Sequence, residues 1–111
     1  MTGRVMRAEI GGTVLAESGD TLVIEGNHYF PRDSVREEYL RPSKAASLCY
    51  WKGLARYHAI EVEDLRIGGA AWYYPQPYPW IRKIKDHVAF GPGIEVHEVT
   101  RRKPPPPQRS G

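Results

Sequence analysis

Turn-forming residues break this chain at short intervals, and their spacing is the tightest limit on its fold. Gly11-Gly12, Ser18-Gly19-Asp20, Gly26-Asn27, Pro31, Arg41-Pro42-Ser43, Gly68-Gly69, the series Pro75, Pro77 and Pro79, and Gly91-Pro92-Gly93 leave only short stretches between them. Long helices are excluded by such punctuation. The intervening stretches are rich in β-branched and aromatic residues with alternating polarity, which is the pattern of strands.

Taken in order, Arg4 to Ile10 and Thr13 to Glu17 predict a first hairpin around Gly11-Gly12. Thr21 to Glu25 and His28 to Phe30 predict the next two strands. Asp33 or Ser34 is placed to cap a short helix with Glu37 and Glu38 in its first turns and Val35, Tyr39 and Leu40 as its apolar contacts. Arg41-Pro42-Ser43 ends that helix, and Lys44 to Leu48 reads as a connector. Leu54 to Val62 is the longest strand, with Leu54, Arg56, His58, Ile60 and Val62 on the more apolar, core-facing side. Glu63 to Gly69 reads as a hairpin loop and Ala70 to Tyr74 as a strand. Trp80 to Lys85 suits a single helical turn, and His87 to Phe90 and Ile94 to Val99 complete the set. The fold class is therefore mostly β: one small antiparallel domain over residues 1–99, of seven or eight short strands with one or two short helices, closed as a small barrel or two packed sheets.

Charge and cysteine usage narrow the function classes. The 111 residues carry a formal charge of +3, but Arg101, Arg102, Lys103 and Arg109 lie in the stretch 100–111, which has no acid. Taking those four from 16 basic residues leaves 12 against 13 acidic ones. A nucleic-acid binder carries its basic stripe on the folded body, so no nucleic-acid partner is expected. Residues 100–111, with Pro104 to Pro107, read as a disordered basic tail. No apolar run approaches membrane-spanning length and the N-terminus has no secretory pattern, so no membrane partner is expected and the cytoplasm is the simplest location. A lone Cys49 makes neither an internal disulfide nor a multi-cysteine zinc site.

Three aromatic clusters stand out: His28-Tyr29-Phe30, the segment Cys49 to Tyr57, and Trp72-Tyr73-Tyr74. Tyr29, Trp51, Trp72 and Tyr74 are candidates to line a pocket for a flat or cationic ligand, with Trp80 at its rim. Their plain alternative is an aromatic core. Lys52, beside Gly53, is a candidate to pair with Glu25 or to hold an anionic group, against the ordinary reading of a solvated turn lysine. Glu25 is a candidate general base, or simply a strand end in water. Cys49 is a candidate nucleophile if a neighbouring Lys52 or histidine lowers its pKa, although cysteine often only packs. His28, His58, His87 and His97 come from separate strands. His87 and His97 are expected within cross-strand reach, but no spacing supports a metal site, so neither metal nor cofactor is expected.

Four ordered motifs resemble the bacterial family known as domain of unknown function 427, over roughly residues 5 to 98. They are Glu17-Ser18-Gly19-Asp20-Thr21-Leu22-Val23-Ile24-Glu25-Gly26-Asn27-His28-Tyr29-Phe30-Pro31, Cys49-Tyr50-Trp51-Lys52-Gly53-Leu54-Ala55-Arg56-Tyr57, Ala70-Ala71-Trp72-Tyr73-Tyr74-Pro75-Gln76-Pro77, and Val88-Ala89-Phe90. Tyr50 stands where the family usually has proline, and Gly91 where an aromatic residue is common. The resemblance implies a fold similar to the β-tent, whose members bind small ligands on a sheet face, many of them with a four-cysteine zinc this chain cannot build. The family also carries a nucleotidyltransferase-like label, but the chain has no Gly-Ser followed by paired acidic metal ligands and no glycine-rich phosphate loop.

The expected function is small-molecule binding in an aromatic-lined pocket, with an unknown ligand and a monomer or homodimer as the unit. The alternative is a small enzyme using the same pocket, with Glu25 and Lys52 as an acid–base pair or Cys49 as a thiol nucleophile. A third reading is an interaction module that uses the proline-rich tail.

Overall fold

The computed structural model describes residues 4–100. Nine strands fill most of that span: β1 (Arg4–Ile10), β2 (Thr13–Ser18), β3 (Leu22–Ile24), β4 (Asn27–Pro31), β5 (Leu40–Cys49), β6 (Gly53–Val62), β7 (Leu65–Tyr73), β8 (His87–Phe90) and β9 (Glu95–Thr100). They form two antiparallel sheets, one of three strands in the order β2-β1-β9 and one of six in the order β3-β4-β8-β7-β6-β5. The mostly-β antiparallel expectation holds, with nine strands rather than seven or eight. The proline-rich tail lies outside the described residues.

Alternation along the strands sends neighbours to opposite faces of the large sheet. One face packs against the small sheet: Phe30, Ile60, Ala71, Val88 and Phe90 meet Ala8, Leu15 and Ala16. Phe30 and Phe90 contact edge to face with centroids 5.6 Å apart. The other face packs against the Pro79–Ile84 segment: Tyr29, Ala55, Tyr74 and Ala89 meet Ile81 and Ile84. Alanines at 55 and 89 leave room for those two isoleucines, both buried. The large sheet is thus covered on both sides, and the candidate site belongs to the second.

Four expectations are corrected here. No α-helix forms after Pro31; two short 3-10 helices, Arg32–Ser34 and Glu37–Tyr39, stand in its place, neither with a side-chain cap. The Ser34 hydroxyl donates instead to the Pro31 carbonyl at 2.6 Å. Lys44 to Leu48 is no connector but part of β5, the edge strand paired with β6 and largely exposed. The loop after Val62 shrinks to Glu63-Asp64, with Val62 paired to Leu65. Finally, β6 is buried on both faces: Ile60 and Val62 meet the first core, while Ala55 and Tyr57 meet the second. His58 is half-buried as expected, but Leu54 is 41% exposed because the small sheet does not reach it.

Candidate functional site

Glu25 and Gly26 form the two-residue turn between β3 and β4, where Ile24 pairs with Asn27. Both have left-handed backbone, with φ of 55° and 80°. This mirror-image turn matches hairpin twist, and glycine suits its second position. Its first position ordinarily takes asparagine, aspartate or glycine, so a glutamate held there is an outlier with a local cost.

Opposite lies the turn Tyr50-Trp51-Lys52 between β5 and β6. Gly53 closes it at φ 118°, a conformation for glycine, and a Cβ there would stand 3.2 Å from the Gln76 carbonyl oxygen. The chain after β7 therefore crosses directly over this turn and pins it. The Tyr78 N–H donates to the Lys52 carbonyl at 3.0 Å, and the Trp80 indole N–H donates to the Trp51 carbonyl at 2.7 Å. Trp80 itself is 68% exposed.

The two turns meet through their side chains. Lys52 is 5% exposed and is the one buried charged residue among those described. Its ammonium donates to Glu25 Oε1, and Trp51 Nε1 donates to Oε2 at 3.2 Å. The Lys52 Nζ lies 4.9 Å from the Trp51 ring centroid and 5.6 Å from that of Tyr74, within cation–π range. Burial, the largest single influence, pushes the ammonium down, but the Glu25 hydrogen bond together with Tyr74, Tyr29 and Cys49 holds Lys52 above its ordinary value. The same bond holds the Glu25 carboxyl below the usual carboxylate range. Burial pushes the Tyr74 hydroxyl up to about 12, with Tyr29 adding to the effect.

Beside this pair runs a cleft of about 380 Å³. Tyr29, Tyr57, Trp72 and Tyr74 supply its rings, Glu25, Asn27 and Lys52 its polar groups, and Gly69 and Pro92 the remaining wall. The Trp72 indole N–H donates to the Tyr29 hydroxyl at 3.2 Å, and Tyr57 and Trp72 lie 6.3 Å apart. Tyr29 and Tyr74 are buried; Trp72 and Tyr57 keep partial exposure. Gly91 sits under Trp72, where an added Cβ would stand 3.0 Å from the indole edge, so the glycine makes space for Trp72 itself.

Of the sequence candidates, Glu25, Tyr29, Lys52, Trp72 and Tyr74 share the cleft and Trp51 stands behind Lys52. Cys49 is half-buried against the second core and does not line the cleft. Tyr57 carries no site signal in the sequence, since it lies on the less apolar side of its strand. Asn27, Gly69 and Pro92 gave no signal beyond their turns. A larger groove of about 720 Å³ runs between Pro31–Val35 and Lys85–His87, but its charges are mixed and Arg32 is already paired with Glu37 at 2.8 Å.

The histidines do not converge. His28 bonds the Thr21 hydroxyl at 2.9 Å, and His87 the Lys85 carbonyl at 2.8 Å. His58 stacks on Tyr73 at 5.0 Å and leaves its Nε2 buried without a hydrogen-bond partner. His87 and His97 are not cross-strand neighbours as expected, since β8 and β9 belong to different sheets. His97 contacts Glu9 on the small sheet, with Glu95 close by, and the Glu9 bond raises its pKa. A raised folded pKa adds stability that is complete below the unfolded value and lost as pH rises through the folded one. The melting temperature should therefore fall as pH rises past about 6.5, the ordinary histidine value, relative to a His97→Gln variant, which lacks this titration. Parallel melting curves for the two proteins would refute the linkage.

Among the described residues, no helix is long and apolar enough to cross a membrane. No protein of curated function matches the chain. The family described as Domain of unknown function (DUF427) matches residues 1–101, nearly the whole sequence, with the motif-bearing turns and strands of the cleft inside the match. The protein belongs to the DUF427 family.

Proposed function

We propose that this protein is a small-molecule-binding domain whose ligand lies along Trp72 and Tyr57, with its polar end at the Lys52–Glu25 pair. The observation that carries the reading is a buried ammonium placed beside partly exposed rings. Burying a charge is costly and rarely serves stability alone, so such a pair at a cleft is a site candidate. Binding is favoured over proton transfer because Lys52 is held above its ordinary value and Glu25 below its own. A general acid or base works best with a pKa near the working pH, and these shifts lead away from it. The cytoplasm remains the location we propose, on the strength of the single cysteine.

Benzamide and benzoate, titrated into nitrogen-15-labelled protein, test the cleft. The indole N–H signals of Trp51 and Trp72 should shift together. Trp72→Ala should weaken binding by about 10- to 100-fold, from lost stacking and apolar contact. Circular dichroism checks that the variant is folded, and Trp72→Phe, which keeps a ring, should lose less. Undiminished binding to a folded Trp72→Ala protein would move the site elsewhere.

A further inference from the structure

The turn after β5 presents two N–H donors to one carboxylate, one to each oxygen: Lys52 Nζ to Oε1 and Trp51 Nε1 to Oε2. That donor pattern suits a planar carboxylate. The donors are fixed. The ammonium is buried between rings, and the turn that carries it is pinned by the Tyr78 and Trp80 bonds. The acid they hold is not fixed in the same way. The Glu25 side chain is 50% exposed, has three rotatable bonds, and starts from a backbone conformation glutamate disfavours. A rigid carboxylate cradle is thus filled by a loosely mounted carboxylate of the chain itself, at one end of an aromatic cleft.

The geometry points to an organic acid as the ligand of this cleft, its carboxylate taking the Lys52 and Trp51 donors from Glu25 and its flat apolar part lying along Trp72 and Tyr57. This rests on the cleft being a binding site. The exchange is close to balanced: the incoming acid makes the bonds that Glu25 gives up, and Glu25 turns into water at little cost because it is already half-exposed. The net affinity then comes from ring contact. A cationic ligand meets the opposite balance, since any cation near Glu25 also faces the Lys52 charge, which the low local dielectric keeps strong.

In this arrangement Glu25 is a tethered competitor. A tether raises its effective concentration at the cradle, so removing it should tighten binding of a free acid. The test is titration of benzoate, and of benzamide as its neutral counterpart, into the full chain and its variants, read at the Trp51 and Trp72 indole signals. Glu25→Gly removes the carboxylate and suits the left-handed turn; Glu25→Gln keeps the side chain and removes only the charge. Benzoate should bind Glu25→Gly at least about tenfold more tightly than wild type, with a smaller gain for Glu25→Gln and no gain for benzamide in either variant. Adding Lys52→Met to Glu25→Gly should erase the benzoate gain. If benzamide still shifts the cleft signals while neither Glu25 variant gains affinity for benzoate, the organic-acid assignment falls and the cleft reading stands. If neither compound shifts those signals in any of the proteins, both fall.

Discussion

Replacing Lys52 with methionine should yield a folded protein with little capacity left for benzoate. Methionine has similar length, bends to fit between Trp51 and Tyr74, and brings no charge to desolvate. Glu25 loses its partner but is half-exposed and rehydrates. Exchanging a buried cation for a well-packed apolar side chain is often close to neutral for stability, so urea unfolding should show little net change. Binding should respond differently. Loss of a charge-assisted hydrogen bond from a dry site lowers affinity by about 10- to 100-fold. The contrast is diagnostic: unchanged stability with lost benzoate binding makes Lys52 an anchor for ligand, whereas a protein that unfolds makes the Glu25–Lys52 pair a structural tie. Unchanged benzoate affinity would remove Lys52 from the site.

Phe30→Ala should produce the opposite pattern. Phe30 is fully buried in the first core, edge to face with Phe90 and packed near Val88 and Ile60. Removing a buried phenylalanine ring costs about 3–5 kcal/mol through lost transfer energy and the cavity left behind. For a domain of this size that lowers the melting temperature by about 10–20 °C. Yet Phe30 points away from the cleft, whose ring from the same strand is Tyr29. Below the lowered transition, benzoate affinity should stay within about twofold of wild type, since alternation along β4 puts the lost ring on the face opposite the cleft. A folded Phe30→Ala protein that has lost benzoate binding would mean that the two faces of the sheet are coupled.

The strands most legible in the sequence are those bounded by turn residues whose own conformation requires them. Gly11-Gly12 and Gly26 sit at positive φ, and the hairpins they join lie where the glycines place them. The helix placed after Asp33 failed because its signals were local and their groups went elsewhere: Ser34 turned back to Pro31, and the Arg36 N–H took the Leu15 carbonyl at 2.8 Å. The stretch Lys44 to Leu48 has little strand propensity of its own and is extended because β6 offers it a ladder, a tertiary effect no local window contains. Within the site, Glu25 and Lys52 were recognisable as residues of the wrong type for their neighbours, a charge ending an apolar strand and a lysine among rings. Tyr57 was not, because its strand is covered on both faces and periodicity cannot rank two buried sides.

That two-sided cover also bears on how the chain reaches its structure. In β4 the adjacent residues Tyr29 and Phe30 serve opposite faces, the first with a hydroxyl that accepts from Trp72, the second with a bare ring in an apolar core. A slip of one residue would exchange them, burying a hydroxyl among aliphatic groups and leaving the indole without its acceptor. In β8 the same slip would drive Val88 and Phe90 into the space Ala89 leaves for Ile81 and Ile84. A sheet with one wet face is checked for register on a single side, while this one is checked on both at once. Misaligned pairings formed early in folding are therefore short-lived, and the alanine that admits Ile81 and Ile84 also serves as a proofreader of strand alignment.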